Sequence, residues 1–66
     1  MRAKAGQTYN CSSNAAGFQH WGFATKRPDG LFNFQADVND EIKVLKPCQI
    51  HIVGHAEWHE PIEVEE

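Results

Sequence analysis

The chain reads as an all-β fold: a small antiparallel barrel or sandwich of five to six short strands with no convincing helix. Three observations predict it. From Gln49 onward the residues alternate, with Ile50, Ile52, Gly54, Ala56 and Trp58 on one side. His51, Val53, His55, Glu57 and His59 fall on the other, the period of a strand with one face buried. Arg27-Pro28-Asp29-Gly30 separates two alternating aromatic runs. Proline presets φ for the first central position of a type I turn, and glycine takes the left-handed position that follows. A helical reading of residues 48–60 fits worse, because it sets Glu57 on the apolar stripe with Ile50, Val53 and Trp58.

Taken in order, residues 1–7 have no periodicity and read as a flexible N-terminal arm that orders only against a neighbour. Gln7 to Cys11 is a first strand with Tyr9 and Cys11 on one face, closed by the turn cluster Ser12-Ser13-Asn14. Phe18 to Lys26 is a second, with Trp21 and Phe23 pointing one way and Phe18, His20 and Gly22 the other. Leu31 to Ala36 returns from the Pro-Asp-Gly turn and makes a hairpin with it. Val38-Asn39-Asp40 turns the chain into a strand from Glu41 to Lys46, and Pro47-Cys48 punctuates it before the long alternating run. Pro61 ends that run. Residues 60–66 are then an acidic tail or a short edge strand whose charges discourage stray pairing.

Sixty-six residues make a single domain, 1–66. A chain this short buries only roughly 60% of the surface it exposes when unfolded, so its margin is thin. The expected core is Tyr9, Trp21, Phe23, Phe32, Phe34, Val38, Ile42, Val44, Ile50, Ile52, Ala56 and Trp58. Small scaffolds of this kind need a staple or a partner, and self-association is the expected one. Cys11 and Cys48 leave two alternatives open, one bridge closing a long loop or two free thiols of a reduced intracellular protein. The opening MRAKAGQTYN is polar, so neither a signal peptide nor a transmembrane segment is expected.

Charge is unevenly spread. Residues 1–30 carry four cations (Arg2, Lys4, Lys26, Arg27) against Asp29, a surplus of +3. Residues 31–66 carry two lysines against eight acids, a surplus of −6. Such a division suits a positive part of one subunit facing a negative part of the next.

Reactive constellations are sparse. His51, His55 and His59 are spaced by four, which on a strand spans about 13 Å, whereas zinc holds its imidazole nitrogens at roughly 2 Å. One strand therefore cannot bring two of them to one ion, and no metal or other cofactor is expected. Histidines on a face shared between subunits would instead make assembly sensitive to pH near neutrality. Neither cysteine lies in a nucleophile elbow, so no catalytic residue is assigned and no enzymatic activity is expected.

Two family resemblances bear on function. Gly17-Phe18-Gln19-His20-Trp21-Gly22-Phe23, then Asp29-Gly30, then Leu31-Phe32-Asn33-Phe34, with Leu45-Lys46-Pro47-Cys48-Gln49 further on, resembles the cold-shock domain over residues 17–50. That resemblance implies a five-stranded barrel of the OB type. Its aromatics, here Phe18, Trp21, Phe23, Phe32 and Phe34, would stack on single-stranded nucleic acid. The acidic second half works against phosphate contacts.

Leu31 to Trp58 resembles the strand-turn-strand run of trimeric C1q and tumour-necrosis-factor modules, with Lys46-Pro47-Cys48-Gln49-Ile50-His51-Ile52 as the counterpart of its Pro-Gly turn. Related modules occur in phage fibre and capsid-decoration proteins. This implies a structural or assembly module that self-associates or docks on a larger protein assembly such as a virion. The contact residues expected are Tyr9, Lys26, Arg27, Val53, His55 and Glu57. A third possibility is a small viral inhibitor that blocks a host protein through its acidic edge.

Overall fold

Four strands follow one another as a meander, and the fifth returns to pair with the first. The computed structural model describes residues 3–64. Its elements are β1 (Thr8–Ser13), β2 (Trp21–Lys26), β3 (Phe32–Ala36), β4 (Ile42–Leu45), a 3-10 turn (Pro47–Gln49) and β5 (Ile50–His55). They form one antiparallel sheet in the order β4-β3-β2-β1-β5. The all-β expectation is met with five strands. The described residues span 27 × 26 × 22 Å.

Register explains what lies inside. Gly22 faces Ala36, Ala24 faces Phe34, and on the other side Tyr9 faces Ala24 and Cys11 faces Gly22. The small residues of β2 thus leave the volume that Tyr9 and Phe34 fill, and both of these are fully buried. Phe34 packs in one cluster with Cys11, Phe18, Ala24, Phe32, Ala36 and Leu45, with Ile50 and Ile52 of β5 packed against it. Gly22 has no alternative: a Cβ there would run into the carbonyl oxygen of Gln35.

The turns follow the sequence closely. At the β2–β3 hairpin Gly30 sits at φ 93° and its N–H donates to the Arg27 carbonyl at 3.0 Å. Asp29 accepts from the Leu31 N–H at 3.0 Å, a local bond typical of aspartate in turns. Before β5, the Lys46 N–H donates to the Gln49 side chain and the Gln49 N–H returns a bond to the Lys46 carbonyl, both 2.9 Å. That reciprocal pair turns the chain through Pro47 and Cys48.

Several expectations are corrected. Trp21, Val38, Ile42, Val44 and Trp58 are exposed rather than buried. In β2 the inward parity belongs to Gly22 and Ala24, which turns Trp21 outward; Phe23 shares its face and is half-buried. In β4 it belongs to Lys43 and Leu45, opposite Phe34 and Phe32, so Ile42 and Val44 face out. Lys43 Nζ lies 4.6 Å from the centre of the Phe18 ring, a cation–π contact. Trp58 lies beyond the end of β5, in a segment that has left the sheet.

The two ends also differ from expectation. Residues 3–7 are tied down: the Gly6 N–H donates to the Lys26 carbonyl at 2.8 Å, the Lys4 N–H to the Tyr9 hydroxyl at 2.7 Å, and Lys26 Nζ to the Ala3 carbonyl at 3.1 Å. Residues 56–64 form no strand; they cross the outer face as an irregular strap with Ile62 buried beneath it. Met1, Arg2, Glu65 and Glu66 lie outside the described residues. Cys11 is buried and Cys48 exposed, and both are free thiols.

Candidate interaction surface

Because strand side chains alternate, the residues excluded from the core line up on the outer face in rows set by register. One row runs Thr8, Thr25, Asn33, Val44 across β1, β2, β3 and β4. The next runs Asn10, Phe23, Gln35, Ile42, and Ser12 pairs with Trp21 beyond it. The face is therefore aromatic in β2 apart from Thr25, aliphatic in β4, and hydroxyl or amide in β1 and β3. Trp21 keeps 63% of its surface in solvent.

The strap crosses these rows. It leaves β5 at Ala56, whose N–H donates to the Thr8 carbonyl at 3.0 Å. His59 then stacks on Phe23, with ring centroids 4.6 Å apart and planes 26° from parallel. Trp58 meets the same phenyl ring edge-on at 5.2 Å while 75% of its surface stays open. At Ile62 the strap is held by side chains rather than by a ladder. Its N–H donates to Thr25 Oγ1 at 2.8 Å, and its carbonyl accepts from Asn33 Nδ2 at 2.9 Å.

Thr25 Oγ1 is itself 2.7 Å from Thr8 Oγ1, so the three form a short buried chain of hydroxyls and amide. Asn33 Oδ1 is left without a partner. The amide cannot be turned to cure this, since the Ile62 carbonyl only accepts.

The expected contact residues divide. Tyr9 is in the core, its hydroxyl used by Lys4, and it offers nothing to a partner. Lys26 is half-buried and bonded to Ala3, and Arg27 pairs with Asp29 at 3.0 Å at the hairpin end. Val53, His55 and Glu57 are exposed as expected.

The histidine face is not continuous, however. Cys11 pairs with Ile52 but Asn10 with Gly54, leaving Val53 as the extra residue of a β-bulge. The bulge puts His51 beside Ser12 and His55 beside Tyr9, on opposite faces of the sheet. His55 meets the Tyr9 ring edge-on at 4.8 Å and lies 3.6 Å from the Glu57 carboxylate. Among the described residues no group of three or more His, Cys, Asp or Glu is placed to hold a metal ion.

Of the five aromatics suggested for base stacking, Phe18, Phe32 and Phe34 are buried and present no open ring. Trp21 and Phe23 are the two on the outer face. Trp58 and the strap were not foreseen as part of any site. No signal within β2 marks this face, because the inward parity of Gly22 and Ala24 is set by their register with Tyr9 and Phe34.

No family model matches the chain, and neither a curated protein nor a solved structure matches it. Among the described residues no helix is long and apolar enough to cross a membrane.

Proposed function

We propose that this chain is a non-enzymatic assembly module that associates through the outer face of its sheet, with a second copy as the partner. One observation carries the reading: Trp21 and Trp58 are both open on the face that holds Phe23. Covering the open part of each indole removes roughly 100–190 Å² from water, on the order of 3–4 kcal/mol apiece. Exposed apolar surface of this kind, on a chain with so small an interior, favours association. Charge supports a second copy as the occupant. Lys26 and Arg27 lie at the hairpin end and Glu57, Glu60 and Glu63 along the strap, so each copy carries both signs. The resemblance to trimeric β modules suggests the setting, a larger assembly such as a phage virion in which the chain serves as a decoration or fibre-associated protein. Diluting the protein from millimolar to sub-micromolar concentration should shift its tryptophan emission to the red as the indoles return to water. Emission that is constant across that range would count against the reading.

A second reading has its own support. Trp21 stands open on the outer face two residues from Phe23, whose ring is covered by His59, so one indole is free for base stacking. Glu57 and Glu60 on the neighbouring strap oppose the phosphates. Titration with a single-stranded oligonucleotide decides it: quenching of Trp21 at micromolar ligand supports stacking, and none below millimolar ligand removes it.

A further inference from the structure

We propose that the outer-face groove between Thr25 and Asn33 is a peptide-binding site, closed in each copy by its own Ile62 and filled in the associated form by the strap of a second copy. The inference rests on the self-association proposed above and names the segment that passes between the associated copies. Its warrant is how Ile62 is held. Both backbone polar groups of this one residue are bound by side chains of the sheet, its N–H by Thr25 and its carbonyl by Asn33, while its own side chain is buried. This is how an extended peptide is recognised, through main-chain bonds plus a pocket for one side chain.

Three further features make the site a docking groove rather than a fixed part of the core. The strap is tethered to it at few points: Glu57, Trp58, Glu60, Pro61, Glu63 and Val64 are all exposed. A cavity of about 320 Å³ adjoins Ile62, lined by Thr25, Lys26, Arg27, Asn33 and Pro61 among others. Its cationic side, Lys26 and Arg27, is opposite in sign to the Glu60 and Glu63 that flank Pro61-Ile62. The same segment of a second copy carries the same Ile62 and the same flanking charges. Exchange of an identical element between protomers keeps every contact already made and so costs little beyond association itself. It also carries Trp58 of one copy onto Phe23 of the next.

Complementation in the full chain tests the exchange. Ile62→Gly spoils a strap and leaves its groove intact, because it removes the side chain that is buried there. Thr25→Val with Asn33→Leu spoils a groove and leaves its strap intact. Mixed at equal concentration, the two should form a one-to-one dimer under conditions where each alone stays at 7.5 kDa. A mixture whose mass is the average of its components overturns the exchange.

The unmodified protein gives a readout that does not depend on either variant folding. In a sample mixing isotope-labelled with unlabelled chains, the associated species should show magnetisation transfer between Ile62 of one copy and Asn33 of another. Associated protein with Ile62–Asn33 transfer only inside each copy would overturn strap exchange while leaving self-association standing. Protein that is monomeric at millimolar concentration would overturn both.

Discussion

Asn33 donates its side-chain amide to the carbonyl of Ile62 at 2.9 Å, joining the third strand to a strap 29 residues further on. The same amide's oxygen is buried and unpartnered. The bond is therefore one half of a side chain that is otherwise unfavourably placed. An unmade bond to a buried polar group costs about 1–3 kcal/mol, a cost that the bond to the strap spares the amide nitrogen but not its oxygen.

Asn33→Leu follows directly. It removes the orphan oxygen, which is favourable, and strips the Ile62 carbonyl of its donor, which is not. The expected net loss is about 1 kcal/mol. Ile62→Ala should cost more, about 2 kcal/mol, at the low end for a buried isoleucine because the strap can relax. Urea midpoints of the two variants, read at unchanged slope, check the order.

The two aromatic parities of the hairpin should separate sharply. Phe34→Ala empties the centre of the core and should cost about 3–5 kcal/mol. Trp21→Ser alters an open position and should stay within about 0.5 kcal/mol of the parent at monomer concentrations. Equal losses at both positions would contradict the inward assignment of Gly22 and Ala24.

Gly22→Ala should be destabilising by about 1–3 kcal/mol, because the added methyl meets the Gln35 backbone and not a side chain that can move aside. Gly54→Ala is the control, since nothing lies within 4 Å of a Cβ there.

Burial pushes the Cys11 thiol from its ordinary 9.0 up to about 12. Between those two values the unfolded chain releases the thiol proton and the folded chain keeps it, so stability falls as pH rises. Below about pH 9 the thiol is protonated in both states and adds no slope. The difference in urea midpoint between the parent and Cys11→Ala should therefore narrow from pH 8.5 to pH 11. In the folded protein at pH 8, iodoacetamide should modify the exposed Cys48 and spare Cys11, since the thiolate is the nucleophile.

Much of the fold was legible because it rests on local chemistry. Pro28 and Gly30 set the hairpin, and the alternation of Ile50 and Ile52 set the start of the last strand, before the bulge at Val53 breaks it. What could not be read was which parity of each strand faces inward. Trp21 and Phe23 are the larger and more apolar pair in β2, and a pattern argument buries them. Packing chooses Gly22 and Ala24 because Phe34 and Tyr9 already occupy the space opposite them. That is a property of register between strands, which one strand's composition does not contain.

The candidate surface was missed for the same reason, as was the strap, whose hold on the sheet depends on Thr25 and Asn33 rather than on a pattern of its own. The N-terminal residues were read as loose because their bonds are made by backbone groups, to Lys26 and Tyr9, and backbone leaves no mark in the sequence.

Self-association is decided by the mass of the protein in solution, measured by light scattering as a function of concentration. The mass should rise from 7.5 kDa toward a multiple of it between micromolar and millimolar protein. Trp21→Ser combined with Trp58→Ser should abolish the rise while circular dichroism stays that of the parent. A parent chain that remains at the monomer mass throughout would contradict association through the outer face, and so would an assembly indifferent to both tryptophans.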